Sequence, residues 1–305
     1  MQDTVWQNAN RANWDERVGI HLAARDLAPL RAGHGRLNAV EEAELGPVDG
    51  LRVLHLQCHF GCDSLALAQR GATVVGLDFS APAIAAARHL AAELGLQARA
   101  RFVEADLYDA PAAIPEPASF DLAYVTWGAI TWLSDIRRWA AIVADFLKPG
   151  GALYLADAHP AALVFDDRAT PAAGGMPGYF VPYFSRAPLR IEDEFDYTDE
   201  TAPLRNATTY TWLHPLGDII GALRDAGLRL DWLNEHDRVA WRLFRQLVRD
   251  PDGMYRWPDK AWLPLAFSLR AERPQSRPKR QRTAVAAATK GLHAGAAAGR
   301  DRRHR

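Results

Sequence analysis

Residues 53–62, VLHLQCHFGC, decide how the rest of the chain is interpreted. The first half of this stretch is a short apolar segment typical of a buried β-strand, and Gly61 precedes a helical pattern over residues 62–71. The chain then continues to alternate short apolar strands with helices, in four strand-then-helix units. This alternation predicts a doubly wound α/β fold, in which helices cover both faces of a parallel sheet.

The individual elements follow from apolar periodicity and from turn residues. Strands are predicted at residues 51–57, 72–80, 100–107, 120–127, 152–158, 228–236 and 263–271. Helices are predicted at residues 14–27, 35–45, 62–71, 81–96, 133–147 and 214–227. We expect Asp63 or Ser64 to cap the helix after Gly61, and Gly71 to end it.

The organisation predicted from these elements has three parts. Residues 1–45 form an N-terminal helical cap, and residues 46–271 form the main domain. Within that domain, residues of about 160–212 interrupt the alternation with prolines, aromatic residues and an acidic run, which we interpret as an inserted antiparallel flap. Residues 272–305 are rich in Arg, Ala, Gly and Pro, a composition that predicts a basic, disordered tail.

The charge distribution bears on the kind of partner. The net charge is −1, but residues 272–305 hold ten Lys or Arg and two acidic residues, so the remaining chain carries −9. An acidic body argues against an active face that holds nucleic-acid phosphates. We therefore expect a small-molecule substrate, with nucleic acid disfavoured and the oligomeric state left open.

The sequence also favours a cytoplasmic setting. No apolar run approaches the roughly 18–20 residues needed to cross a bilayer, and the first residues lack the features of a secretory signal. Only two cysteines, Cys58 and Cys62, are present, which is too few for a disulfide framework. We expect a reduced, cytoplasmic protein without a membrane segment.

The clustering of His55, Cys58, His59 and Cys62 raises the question of a metal site. Tetrahedral zinc usually takes its ligands from two separated parts of a chain, whereas these four residues share one strand, turn and helix. We therefore predict no metal ligand here and interpret His55 as a hydrogen-bonded core residue. A dinucleotide site is also disfavoured, because G-x-G-x-x-G is needed against a pyrophosphate and this loop has a single glycine.

A nucleoside without phosphates suits this loop better, and S-adenosylmethionine is such a ligand. Asp78 ends the second strand, where a carboxylate can accept hydrogen bonds from both ribose hydroxyls. Asp106 ends the third strand, where it can accept the adenine amino proton beside Leu107. Trp127 ends the fourth strand, where the methyl donor would meet its acceptor. All of these positions lie at the carboxyl ends of predicted parallel strands, where open α/β sheets bind ligands.

Residues 51–157 resemble the core of class I S-adenosylmethionine-dependent methyltransferases. VLHLQCHFG stands where VLDLGCGxG is usual, and GLDFS, EADL and LKPGG resemble later motifs of that class. The resemblance implies a seven-stranded, Rossmann-like methyltransferase fold, and it adds Phe79 to the cofactor site. A closer resemblance, over about residues 8–271, is to a subgroup with the HLQCHFG loop, an NWDERV segment and a later HPLG.

The chain departs from the class at the start of the loop. The usual acid is replaced by His55, and two glycines are replaced by Gln57 and His59. In the class, that acid contacts the amino group of the methionine part. We expect Gln57, His59 or backbone carbonyls to take over this contact.

The expected reaction is an in-line displacement at the methyl carbon, with the nucleophile held near 3 Å from it. Asp157 and His159, just past the fifth strand, are the candidate catalytic residues if a base is needed. Aromatic faces near the cationic sulfonium are expected from Trp14, Tyr124, Trp127 and Trp132.

Aromatic residues in the cap and flap favour a small acceptor, aromatic or apolar, under a lid. Two other functions stay open: a non-catalytic module that binds S-adenosylmethionine, and an RNA methyltransferase recruited by the basic tail.

Overall fold

The computed structural model describes residues 2–166 and 177–275. The predicted flap therefore has a gap at residues 167–176, and the interpretation of the tail as disordered concerns residues that lie mostly outside the described ranges. The helices are α1 (Gln2–Ala24), α2 (Ala28–Arg31), α3 (Ala39–Glu44), α4 (Cys62–Gln69), α5 (Ala81–Glu93), α6 (Ala110–Ala113), α7 (Ile136–Phe146) and α8 (Leu216–Asp225).

Seven strands form the central sheet and five more form two small sheets. The strands are β1 (Arg52–Leu56), β2 (Thr73–Asp78), β3 (Ala100–Glu104), β4 (Phe120–Thr126), β5 (Leu147–Ala158), β6 (Leu189–Glu192), β7 (Thr208–Thr211), β8 (Arg229–His236), β9 (Arg238–Val239), β10 (Val248–Arg249), β11 (Tyr255–Arg256) and β12 (Ala266–Glu272).

The central sheet has the order β3-β2-β1-β4-β5-β12-β8. Strands β1 to β5 pair in parallel, whereas β12 pairs antiparallel with both β5 and β8. Buried apolar side chains form one cluster around Trp139 and Phe120 and a second around Phe102 and Tyr124. The predicted fold class, a mostly parallel seven-stranded sheet flanked by helices, is confirmed.

The helix after the opening loop begins differently from the prediction. Helix α4 starts at Cys62, and Gly61, with φ +77°, occupies the cap position without any side-chain cap. Asp63 lies in the first turn, and the Ser64 hydroxyl instead contacts His55 Nδ1 at 2.8 Å. The prediction that Asp63 or Ser64 caps this helix was wrong, because the glycine alone can adopt the left-handed backbone that the turn requires.

Other elements extend or supplement the predicted ones. Helix α1 begins at Gln2 rather than at Trp14, and β5 begins at Leu147 rather than at Ala152, so it includes the LKPGG segment. The three-stranded sheet of β9, β10 and β11 was not predicted. Within the predicted flap, β6 and β7 form an antiparallel hairpin. Strand β12 includes Glu272, which the sequence had placed at the start of the tail.

Helix α1 and the hairpin segment of residues 189–211 pack against each other and form what we call the lid. The Asn10 side chain pairs with the backbone of Tyr210 through two hydrogen bonds of 2.7 and 2.8 Å. A buried ion-pair network lies further along α1, where Arg17 Nη1 and His21 Nε2 approach one oxygen of Asp196 at 2.9 and 3.0 Å. The lid is therefore held by directional polar contacts as well as by apolar packing.

Within the described residues, no helix is long and apolar enough to cross a membrane.

Gly61 is required by close packing as well as by its backbone angle. A Cβ atom there would lie 2.6 Å from the Phe102 ring and 3.0 Å from Ala87 Cβ. Gly95 also has a positive φ, of +67°, but a Cβ there would meet nothing within 4 Å. A substitution at Gly61 would therefore cause both backbone strain and steric overlap, whereas a substitution at Gly95 would cause backbone strain alone.

We predict that Gly61→Ala lowers the free energy of unfolding by about 2–4 kcal/mol, because about 1 kcal/mol of left-handed strain adds to an overpacking cost of about 1–3 kcal/mol. Gly95→Ala should lose only about 1 kcal/mol, from strain alone. Urea denaturation of both variants measures the difference. Equal losses would contradict the packing role of Gly61.

Candidate active site

The carboxyl ends of β1 to β5 open into three adjoining cavities, and residues of the lid line two of them. The large cavity, of about 450 Å³, lies by the ends of β2 and β3, and the middle cavity, of about 190 Å³, lies by the ends of β1, β2 and β4. The small cavity, of about 40 Å³, lies by the end of β5. Gln57, Phe79 and Trp132 line both of the first two cavities, and Gly128 lines both the middle and the small one.

Gln57 and His59 project two unsatisfied acceptors in the loop after β1. Gln57 Nε2 donates to the Ala129 carbonyl at 2.8 Å, and its buried Oε1 has no hydrogen-bond partner among the described residues. The buried His59 Nε2 likewise has none within the described ranges. Burial lowers the pKa of His59 to about 3, so the ring is neutral at pH 7 and can accept a hydrogen bond.

Asp78 anchors this loop to the end of β2. Its Oδ2 accepts from the His59 backbone N–H at 2.8 Å, and its Oδ1 accepts from the Ser80 N–H at 3.0 Å. The side chain lines the middle cavity. Burial raises the pKa of Asp78 to about 6, so the carboxylate is ionised at neutral pH and each oxygen retains acceptor capacity.

Asp106 and Leu107 both line the large cavity after β3; their contact with one ligand stays a prediction. Asp106 Oδ1 accepts from the Tyr108 N–H at 2.9 Å, and Oδ2 accepts from Gln7 Nε2 of the lid at 3.2 Å. Phe79 lines the same cavity from the end of β2. A flat base can therefore lie between apolar side chains with a carboxylate at its edge.

Trp127 follows β4 with φ +43° and lines the middle cavity, as do Trp14 and Trp132. The Trp14 and Trp132 rings meet edge to face, with centroids 5.3 Å apart. Tyr124 was predicted to join them, and that prediction was wrong. Its ring is fully buried beside His55, with its hydroxyl donating to Glu41 Oε1 at 2.6 Å.

The cysteines and histidines of the opening stretch do not converge on an ion. The His55 side chain is buried and contacts Ser64 and Tyr124, and burial lowers the pKa of His55 to about 3. Burial also raises the pKa of Cys58 well above its ordinary value, which keeps that thiol protonated. Throughout residues 2–166 and 177–275, no group of three or more His, Cys, Asp or Glu side chains is placed to hold a metal.

Asp157 is committed to the backbone. Its Oδ1 accepts from the N–H groups of Gly128 and Ala158 at 2.5 and 2.7 Å, and its Oδ2 accepts from those of Ala129 and Ile130 at 3.0 and 3.1 Å. The carboxylate is buried and lines the small cavity. Four donors leave it poorly placed to take a proton from a substrate, so its geometry is that of a residue that positions the turn after β4.

The structure does not bring His159 to any of the three cavities. Its Nδ1 accepts from the Ala161 N–H at 3.1 Å, and its Nε2 lies 3.1 Å from Glu235 Oε1, an ion-pair distance outside hydrogen-bond geometry. This placement holds the turn before Pro160. The base role predicted for His159 finds no support in this geometry.

Sequence reasoning assigned no main role to several residues that line the cavities. His21 and Tyr197 close the middle cavity from the lid, and His214 and Trp241 line the small cavity together with Trp212. These residues come from α1, the hairpin and the segments before α8 and after β9. They carry no strand-end signal, although the sequence did mark aromatic residues in the lid.

The donor set fits S-adenosylmethionine. The unpartnered Gln57 Oε1 and His59 Nε2 are acceptors for an ammonium group, and Asp63 adds a carboxylate to the lining of the same cavity. Asp78 in the middle cavity and Asp106 in the large one add carboxylate acceptors, the kind of group that ribose hydroxyls and an adenine amino group require. The linings of the two cavities are therefore compatible with the donors of this ligand.

The comparisons with known proteins agree with this geometry. Residues 53–151 match the family described as "Methyltransferase domain". Over 120 residues, the chain is 32% identical to a ubiquinone biosynthesis O-methyltransferase from Leptothrix cholodnii, covering 39% of this chain and 49% of that protein. Over 94 residues, it is 44% identical to a 23S rRNA (uracil(1939)-C(5))-methyltransferase from Azoarcus sp., covering 30% of this chain and 22% of that protein.

A solved S-adenosylmethionine-dependent methyltransferase from Mesorhizobium loti shares the fold, with a TM-score of 0.54 and 24% identity over 77% of this chain and 96% of that one. The chain spans about half, or less, of the length of the curated relatives described above. Residues 53–151 therefore match a methyltransferase domain, and the chain has the fold of a solved S-adenosylmethionine-dependent methyltransferase. The expected class and its cofactor are thereby confirmed, whereas membership in the HLQCHFG subgroup stays a prediction.

We predict that Asp78→Ala weakens binding of S-adenosylhomocysteine by about 1.5–3 kcal/mol, the range for hydrogen bonds to a charged group. In the wild type, affinity should fall as the pH drops below about 6, where Asp78 becomes protonated. The pKa of Asp78 is higher in the folded than in the unfolded protein, so its protonation as the pH falls through about 6 does not itself lower the free energy of unfolding of the unliganded protein. Isothermal titration at pH 5 to 8 tests both points, with exposed Asp145→Ala as the control. Unchanged affinity in Asp78→Ala would show that the ribose lies elsewhere.

We predict that Asp157→Asn lowers the free energy of unfolding by about 2–4 kcal/mol, because an amide N–H₂ would face two backbone N–H groups in place of an acceptor oxygen. Asp145→Asn, at an exposed position whose side chain makes no hydrogen bond within the described residues, is the matched control. Thermal and urea denaturation measure the loss. A variant of wild-type stability whose turnover is abolished would instead support Asp157 as a base.

Proposed function

We propose that this protein transfers a methyl group from S-adenosylmethionine to a hydroxyl group of a small, apolar or aromatic acceptor. The observation that carries the proposal is the small cavity, which adjoins the middle cavity at Gly128 and is lined by Trp212, Trp241 and Leu163. The name of the O-methyltransferase relative supports oxygen as the accepting atom. We also propose that the chain belongs to the subgroup with the HLQCHFG loop.

When bound, S-adenosylmethionine supplies an electrophilic methyl carbon on a positively charged sulfur. The residues of the chain then have to align an acceptor and exclude water. Gln57 and His59 hold the ammonium end, and Asp78 holds the sugar, which fixes the ligand along the strand ends. The indole of Trp132 borders the charged centre, where an aromatic face is attractive to a cation.

The segments that carry Trp212 and Trp241 determine access to the small cavity. At about 40 Å³ this cavity is smaller than an aromatic acceptor requires, so the acceptor enters with a displacement of these two segments. Segment movement of this kind is common in enzymes that sequester reactants from water. The apolar lining favours acceptors that fit its shape and that lose little free energy when they leave water.

RNA is the second acceptor class, and the match to an rRNA methyltransferase is the observation in its favour. That match covers 22% of the relative's length, and the body of this chain carries a charge of −9 at residues 1–271. A body of that sign repels phosphates. The small-molecule proposal is therefore the better supported one.

We predict that the purified protein transfers deuterated methyl groups from labelled S-adenosylmethionine to small phenolic compounds in a bacterial metabolite extract supplemented with catechol. Mass spectrometry of the extract detects the product, and Asp78→Ala should lower the yield at limiting cofactor. Label found only in RNA would overturn the small-molecule proposal. If titration shows that the protein binds the cofactor but no label reaches any fraction, the protein is a binding module and not an enzyme.

A further inference from the structure

His214 lies just before helix α8 and lines the small cavity. Its place in the chain, within the HPLG segment, gives no strand-end signal. The side chain is half-buried, and it shares the cavity lining with Trp212 and Thr131. It is therefore a titratable group at the place where the acceptor is proposed to bind.

The tautomer of His214 is fixed by one hydrogen bond. Nε2 lies 2.8 Å from the carbonyl oxygen of Leu133. A carbonyl oxygen only accepts, so Nε2 carries the proton and Nδ1 of the neutral ring carries a lone pair. Among the described residues, Nδ1 has no hydrogen-bonding partner.

The environment keeps this ring neutral near pH 7. Burial lowers the pKa of His214 below its ordinary value, the backbone contact to Leu133 opposes this, and the charged groups that face the ring are Asp218, Arg186 and Asp135. Arg186 pairs with Asp218, which offsets part of the acidic influence. His214 also lies just before the first turn of α8, where the positive end of the helix dipole disfavours a protonated, positively charged ring. The lone pair on Nδ1 is therefore available under physiological conditions.

The other candidate bases near β5 are occupied. Asp157 accepts four backbone N–H groups, and His159 Nδ1 accepts from Ala161. Of the titratable side chains that line the small cavity, Asp157 and His214, only His214 combines a fixed tautomer with an uncommitted acceptor in the described structure. The geometry thus separates a positioning role for Asp157 from a chemical role for His214.

We propose that His214 is the general base that takes the proton from the hydroxyl group of the acceptor. As the acceptor oxygen forms its bond to the methyl carbon, the carbon–sulfur bond breaks and its electron pair stays on sulfur. The hydroxyl proton passes to Nδ1, and the resulting imidazolium returns it to solvent after the segments that carry Trp212 and Trp241 move apart. This inference rests on the proposed function, since it requires an acceptor with a proton to lose.

The test compares wild type with His214→Gln, which keeps a donor for the Leu133 carbonyl but lacks a base, and with exposed His89→Gln as the matched control. Each protein is assayed with labelled S-adenosylmethionine at saturation and catechol together with the metabolite extract, over pH 5 to 9. We expect His214→Gln to lower kcat by about 10²–10⁴-fold, the usual contribution of a general base, with unchanged affinity for S-adenosylhomocysteine.

The pH profile distinguishes a base from a structural residue. In wild type and in His89→Gln, kcat should rise from acid pH to a plateau before pH 7, because the base must be unprotonated. His214→Gln should lose this limb, and free imidazole should restore activity to His214→Ala. Wild-type kcat in His214→Gln, or a low kcat with the acid limb retained, would overturn the assignment.

Failure of the proposed function gives a different result. In that case the wild type itself transfers no label, although it binds S-adenosylhomocysteine. Nitrogen-15 spectra of the imidazole then decide the inference independently, since a proton on Nδ1 of His214 at pH 7 would overturn it. A proton on Nε2 with a shift of Nδ1 on addition of catechol would support it.

Discussion

The carboxylate of Asp157 determines the shape of the site, because it collects four backbone N–H groups from the turn after β4 and from its own strand. That turn contributes Gly128 to two of the cavities, and its Ala129 carbonyl accepts the Gln57 side chain from the loop after β1. One buried charge thus links the ends of three adjacent strands. A carboxylate that accepts four N–H groups is poorly placed to serve as a base as well. The proposed proton transfer therefore uses the imidazole of His214, which comes from another element.

The sequence predicted the part of the site that depends on topology. Parallel strands bring their carboxyl ends to one edge, so the sequence alone puts Gln57, Asp78 and Asp106 at that edge, where they line two adjoining cavities. The sequence did not reveal the partner of each polar atom. Tyr124 seemed available at a strand end, yet the hydroxyl group of this tyrosine is held by Glu41 of α3, 83 residues away.

The hydrogen-bond partners within the lid could not be predicted from the sequence either. Arg17 and Asp196 lie 179 residues apart and form a buried pair, to which His21 adds a second donor. Burial opposes ionisation of Asp196, but hydrogen bonds from His21 and Thr198 hold its pKa below the ordinary value. Burying such a pair has a large desolvation cost that is offset only with good geometry, so periodicity alone cannot predict it. The network gives the lid one orientation over the strand ends.

The backbone angles of the cofactor loops have a consequence for the evolution of this chain. Gln57, His59 and Trp127 have φ values of +58°, +50° and +43°, a region in which side chains other than glycine are strained. Each holds a conformation that costs about 1–2 kcal/mol and that glycine adopts freely. Under the proposed function, glycine at these positions would relieve strain in the apoprotein but would also remove side chains that contact the ligand. Non-glycine residues would then be retained at these three positions because they contribute to ligand binding. Stability of the apoprotein and ligand recognition therefore favour different residues at the same positions.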